Sequence, residues 1–348
     1  MIKFFRNIRK KLLEQGKIAN YLKYAIGEII LVVIGILIAV GINSLYNASQ
    51  NEDKVKAILT QVQEDLKTDI IDAKRIFNVY IAKDSLFQKI MNDSITFEMY
   101  KKNPYRLPIT SNYVSFSNKK GGYNRFLENL ENLPEKYSCL IPYLNDLYIE
   151  MQNDIDDYNT FIKNTVMVDG REDIKTNPKI ADYTYGKYPD EAMEYYFKDP
   201  FLKNKSSQYM NDLSNISKAA NEYRIESIVL YKKIDSLLGK TPTLYGEPIA
   251  VLPTEEDINS FLGDYTGTGD VLGVTGSLIL QNRQLVGKAP ETPDTKLYWH
   301  EGDYYFLKDD SSIIRIYKNE EDQHIIQFHY GSQTYIYVKT KDLKKGNL

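Results

Sequence analysis

The residue types that carry chemistry are sparse in this sequence, and their spacing works against them. The three histidines, His300, His324 and His329, all fall near the C-terminus. His324 and His329 are five apart, so on a regular strand they point to opposite faces and cannot share a zinc ion. Cys139 is the single cysteine, which excludes an intramolecular disulfide and a paired-thiol metal or redox site. Gly239-Lys240-Thr241 copies the end of a phosphate-binding loop, but Ile234 stands where its first glycine is needed. Gly267 to Gly273 has one residue too many for a dinucleotide fingerprint and leads toward a strand, not a helix. Asp154, Asp156 and Asp157 diverge around a helix, as a solvated face does. There is no His-Glu-x-x-His, no Gly-x-Ser-x-Gly and no Cys-x-x-Cys. The expectation is therefore no catalytic set, no metal and no cofactor.

The other ionisable residue in an unusual setting is Glu28, at the start of an apolar run. Ile29 to Ile42 contains no polar side chain. Extended from Tyr24 to Tyr46, the run would span roughly 34 Å as a helix, enough to cross a bilayer with a tyrosine near each interface. An acid inside such a span is either a headgroup-seeking side chain or a contact for another helix. Gly35 and Ala39 form a small-residue pair that would let a second helix approach. Ahead of the span, Lys3, Arg6, Arg9, Lys10, Lys11, Lys17 and Lys23 stand against Glu14 alone. Phe5, Ile8 and Leu12 follow helical spacing there, which suits a short helix on an anionic leaflet, or charges that only set orientation. A long basic leader and no small-residue cleavage pair in Ser44–Gln50 favour a retained anchor over a cleaved signal. The positive-inside rule then puts residues 1–23 in the cytoplasm and everything beyond Asn47 outside. Acidic residues total 47 against 44 basic ones, so with the leader set aside the remainder is acidic. A nucleic-acid partner is not expected.

The opening stretch, and above all YAIGEIILVVIGILIA from Tyr24 to Ala39, resembles a family of single-pass membrane proteins of Bacteroidota known as domain of unknown function 6090. The sequence departs from that pattern at Gly41-Ile42-Asn43-Ser44-Leu45, where the family carries Gln-Ile-Asn-Asn-Trp. The resemblance implies an envelope protein of a Gram-negative bacterium and carries no activity with it.

Between residues 47 and 239 the pattern is helical. Val55, Ile58, Leu59, Val62, Leu66, Ile70, Ala73, Phe77 and Tyr80 recur every three or four positions, predicting an amphipathic helix to about Met91. Such a helix would leave the membrane as a continuous stalk. Asn92-Asp93-Ser94 interrupts it, and the stretch to Tyr123 is irregular. A second helical pattern runs from about Pro134 to Ile162, with Pro142 able to kink it. Residues 169–205 read as loop around a short helix at 191–197. A third helix, with Tyr209, Leu213, Ile216, Ala220, Tyr223, Ser227, Leu230, Ile234 and Leu237 in coiled-coil spacing, ends at Gly239.

A linker at 240–253 leads to a short helix capped by Thr254, and then to six to eight strands with tight turns, a meander closed as a small barrel or sandwich. From Phe261-Leu-Gly-Asp-Tyr-Thr-Gly267 onward this region resembles the small lipocalin-like β-domains that follow bacterial serine hydrolases. Trp299, Tyr304, Phe306, Tyr317, Phe328, Tyr335 and Tyr337 are the candidate wall of a ligand cavity, with a packed core as the alternative. The expected class is α+β: leader 1–23, transmembrane helix 24–46, helical bundle 47–239, β-domain 254–340 and a basic tail 341–348. The expected partners are the lipid bilayer and a protein, a second copy of this chain included. The functional expectation is a non-catalytic interaction or scaffolding module, with ligand sensing by the β-domain as the alternative.

Overall fold

The computed structural model describes residues 18–104, 109–240, 255–281, 284–301, 304–307, 312–330 and 333–342. The amphipathic leader, the linker, the Thr254 cap and the tail beyond Asp342 lie outside the described residues. The chain is α+β: a long N-terminal apolar helix, a helical region and an antiparallel C-terminal barrel.

The first helix, α1, runs without a break from Ile18 to Met91, 74 residues or about 110 Å. No proline falls in it, so nothing removes a backbone donor along its length. From Ile29 to Tyr46 its side chains are exposed on every face. Among the described residues this is one helix long and apolar enough to cross a membrane. From Val55 onward the character changes. Leu59, Val62, Leu66, Ala73, Phe77 and Tyr80 are buried at the expected spacing. The helix stops at Asn92 because Asp93 adopts a left-handed φ of 53°. Ser94 N–H then donates to Lys89 O at 2.9 Å and Asp93 N–H to Ile90 O at 3.2 Å, closing the last carbonyls.

After α2 (Phe97–Lys102), α3 (Gly121–Leu127) and α4 (Ile141–Asn145) come the two other long helices, α5 (Met151–Thr176) and α8 (Leu202–Leu237), with α6 (Ile180–Thr184) and α7 (Asp190–Phe197) between them. α8 packs antiparallel to α1: Gln63 Nε2 donates to Asp235 Oδ1 at 2.8 Å, and further along Tyr223 O–H donates to Asp69 Oδ2 at 3.1 Å. On its other side α8 meets α5, where Thr165 donates to Asp212 at 2.6 Å. Two expectations need correction here. Pro142 sits at the first turn of α4, where its missing N–H is harmless, and a π turn at Asp146–Glu150 joins α4 to α5. α5 continues to Thr176 and α8 begins at Leu202, so most of the expected 169–205 loop is helical. Gly239 has a φ of 70° and ends α8 as expected.

Residues 112–120, without regular structure of their own, thread between α1 and α5. Side chains satisfy their amides. Phe116 N–H donates to Asn159 Oδ1 at 3.1 Å, Asn118 N–H to Gln152 Oε1 at 3.1 Å, and Lys119 N–H to both Asp69 oxygens at 3.0 and 3.1 Å. Gly122 N–H, in the first turn of α3, donates to Asp65 Oδ2 at 2.6 Å. Asp65 thus does for α3 what an N-cap residue does, since Lys120 makes no side-chain cap.

The barrel has eight antiparallel strands, β1 (Gly263–Gly267), β2 (Thr275–Gln281), β3 (Gln284–Lys288), β4 (Thr295–Glu301), β5 (Tyr304–Leu307), β6 (Ser312–Lys318), β7 (His324–Tyr330) and β8 (Gln333–Asp342), each paired with the next, and β8 closing on β1. Closure leaves no free edge. Inside, Tyr265, Leu278, Leu285, Leu297, Tyr305, Leu307, Ile314, Ile316 and Ile326 form one core, and Ile258, Phe261 and Leu262 from α9 (Glu255–Phe261) and its end pack against it. β1 is a strand the sequence pattern did not announce. Its glycines sit where the chains approach most closely: a Cβ on Gly263 would lie 2.2 Å from Lys341 O.

Candidate functional site

The helical region and the barrel meet at the C-terminal third of α1. Positions 81, 84, 85, 88 and 92 share a helical face by their three- and four-residue spacing, and that face meets the outer surface of β6, β7 and β8. Outward-facing Ile313 of β6 joins the helical core. His329 of β7, also outward by strand alternation, is only 2 % exposed. The Tyr80 ring stands edge-on to it, centroids 6.2 Å apart at 86°.

A polar chain crosses the junction. Gln88 Nε2 donates to Asp84 Oδ1 at 3.2 Å and to Thr334 Oγ1 at 3.2 Å. His329 Nδ1 lies 3.8 Å from Asp84 Oδ1 and 3.4 Å from Thr334 Oγ1. Aspartate, histidine and hydroxyl invite comparison with a nucleophile relay. In a relay the carboxylate and the hydroxyl engage opposite ring nitrogens. Here both face Nδ1, so the set binds two parts of the fold together and does not activate the threonine.

Burial lowers the His329 pKa, with Asp84 opposing and Arg315 reinforcing that shift. The folded barrel thus holds a neutral imidazole more strongly than the unfolded chain does. The stability this contributes is present above pH 6.5 and is lost as pH falls through 6.5 toward the folded value. Hydrogen exchange corrected for intrinsic rate should show weaker protection of β7 and β8 amides at pH 5.5 than at pH 7.5. His329→Gln should flatten that difference; an unchanged pH dependence in the variant would assign it to other groups.

Two clefts open around this junction. One, of about 420 Å³, is bounded by Asp84, Gln88, Lys89, Arg315, Gln327 and His329. The other, of about 230 Å³, lies between Leu86, Lys89, Ile95, Met99 and Tyr100, with Lys102 and Asn103 at its rim. Lys89 belongs to both.

A second polar centre lies within the helical region. Asp69 is fully buried. Burial pushes its carboxyl up to about 7, against the opposing pull of the Lys119 N–H and the Tyr223 hydroxyl. Burial also holds the neighbouring Tyr148 and Tyr223 hydroxyls well above the usual phenol range. The Asn118 side chain is buried beside them with neither its oxygen nor its nitrogen hydrogen-bonded.

The residues singled out in the sequence fall in separate places. Glu28, Gly35 and Ala39 lie on the exposed apolar part of α1, and a Cβ at Gly35 would meet nothing within 4 Å. Phe328 and Tyr337 pack together inside the barrel, ring centroids 5.5 Å apart, against its core. Tyr335 shares their face by alternation and donates to Gln333 Oε1 at 2.5 Å. Tyr317 lies on the outer face, with the Arg315 guanidinium 4.2 Å above its ring. The side chains of Trp299, Tyr304 and Phe306 lie outside the described residues. His324 and His329 do point to opposite faces: His324 packs edge-on against Phe261 at 5.6 Å. Among the described residues no group of histidine, cysteine, aspartate or glutamate is arranged to hold a metal ion. The junction clefts escaped sequence reading because Lys89 and Arg315 are brought together by the fold alone. The only local trace was an outward histidine in an apolar strand.

Neither the curated proteins nor the solved structures contain a match to this chain. The family match begins at Glu28, in the apolar stretch of α1, and ends within α5, short of α8 and the barrel: residues 28–169 match the model of a family of unknown function, DUF6090.

Proposed function

We propose that this chain is a membrane-tethered envelope protein that works as a non-catalytic interaction or scaffolding module. The observation that carries this reading is the continuity of α1. The same helix is apolar and exposed on all faces up to Tyr46 and becomes the core helix of the helical region from Val55. A buried soluble helix would hide the first stretch, and an exposed apolar surface of that size marks contact with lipid or protein. The basic residues ahead of the span orient it with residues 1–23 in the cytoplasm, which puts the helical region and barrel in the periplasm of a Gram-negative cell.

The natural chain carries its own topology probe, because Cys139 is an exposed free thiol. A maleimide that crosses the outer but not the inner membrane should label intact cells at Cys139, and Cys139→Ser should abolish the signal. Labelling only after lysis would overturn the orientation. For the interaction reading, purification in mild detergent should yield an assembly larger than one chain. A lone monomer at native expression would sink it.

A further inference from the structure

The two junction clefts are chemically different and lie side by side. The barrel-side cleft offers amides from Gln88 and Gln327 and the charges of Lys89 and Arg315. Its one carboxylate, Asp84, is already engaged by Gln88 and faces His329. The other cleft offers an apolar floor of Leu86, Ile95, Met99 and Tyr100, with Lys89 and Lys102 above it. Met99 is 45 % exposed. Lys89 and Lys102 are exposed too, and among the described residues neither has an acidic partner, whereas the adjacent Lys101 is paired with Asp190 at 2.8 Å. An apolar floor flanked by unpaired cations on an otherwise acidic protein is complementary to one kind of ligand.

We infer that this double cleft is the docking site for a short linear segment of a partner protein in which acidic residues adjoin an apolar side chain. This rests on the interaction reading above and names the chemistry of its partner. The apolar side chain enters between Leu86, Ile95 and Met99, where it and the methionine leave water together. The neighbouring carboxylates meet Lys89, Lys102 and Arg315. There they accelerate encounter and fix register more than they add affinity. A basic segment would meet the same cations as repulsion. Strand addition is not available, because the closed barrel has no edge to extend.

The test uses the full-length protein in nanodiscs, panned against a displayed library of random dodecapeptides. The enriched sequences should place Asp or Glu beside Leu, Ile, Met or Phe. A fluorescein-labelled enriched peptide should lose affinity by about tenfold or more with Lys89→Glu combined with Lys102→Glu, and should bind more weakly as salt rises. Both positions are exposed, so circular dichroism should confirm an unchanged fold. Met99→Glu should also weaken binding, and Lys163→Glu, exposed on α5, should leave it unchanged. Three results would overturn the inference: no enrichment, enriched peptides without acidic residues, or full binding by the double variant. If any of these occurs while the chain still purifies with a partner, the interaction reading stands and the partner sits elsewhere. If the partner is lost as well, both fall.

Discussion

Gly122→Ala should destabilise the helical region by about 3 kcal/mol or more, among the largest effects of any single methyl group in this chain. The reason is geometric. A Cβ at Gly122 would lie 2.6 Å from Val62 N and 2.7 Å from Val62 Cα. These are backbone atoms inside α1 and cannot swing aside as the end of a flexible side chain can. The Gly122 amide is also held at 2.6 Å by Asp65, so moving α3 away would break the bond that caps it. The control is Gly170→Ala, an exposed position within α5 where a Cβ meets nothing within 4 Å. There the same substitution should stabilise by roughly 0.5–1 kcal/mol, because alanine restricts the unfolded chain and favours the helix. Denaturant unfolding of the full chain in detergent, followed by the helical circular dichroism signal, reads both. Equal small effects at the two sites would show that α1 and α3 are not in close contact.

The second large effect concerns Asp69. An unfolded aspartate titrates near 3.8, whereas burial holds Asp69 at about 7. The folded state therefore binds this proton more tightly. Below pH 3.8 both states are protonated and no penalty arises. As pH rises from 3.8 to 7 the unfolded state ionises first, and stability falls by about 4 kcal/mol across that window. Asp69→Asn should remove most of that slope and leave the variant ~2 kcal/mol more stable than the natural chain at pH 8, the remainder being lost with one acceptor for the Lys119 amide. Protonation has a structural counterpart. A neutral Asp69 can donate to the Tyr223 oxygen, 3.1 Å away, in place of accepting from it. Parallel pH–stability curves for variant and natural chain would show that folding leaves the titration of Asp69 unchanged.

Both effects sit where local pattern carries no information. The second half of α1, α8 and most strands were legible because their side chains follow one period against one core: Val55 to Tyr80 at steps of three and four, Ile313 to Tyr317 and His324 to Tyr330 in alternation. β1 was not, because Gly263, Asp264 and Gly267 have low strand preference and are selected by closeness to β8 and the turn, not by propensity. The extension of α5 through Gly170 to Thr176 was obscured by a glycine and a run of charges. Residues 112–120 have no period at all, since their partners are Asp69, Gln152 and Asn159, far away in the chain. The same holds for the candidate site. Nothing near Lys89 announces Arg315, and an aromatic in a strand reads the same whether it faces the core, as Phe328 does, or lies under a guanidinium on the outside, as Tyr317 does.

The unbroken α1 also has an angular consequence. A helix turns about 100° and climbs 1.5 Å with each residue, so the azimuth of the barrel about the stalk is set by how many residues separate Tyr46 from Val55. Inserting one alanine there would barely lift the barrel but would swing it by about a quarter turn relative to Gly35, Ala39 and anything in contact with them. Four inserted residues would restore the heading to within about 40°, and seven to within about 20°. A flexible linker would erase such phasing. The stalk behaves as a keyed shaft, and any process that depends on which way the junction faces should rise and fall with the insertion length at the period of the helix.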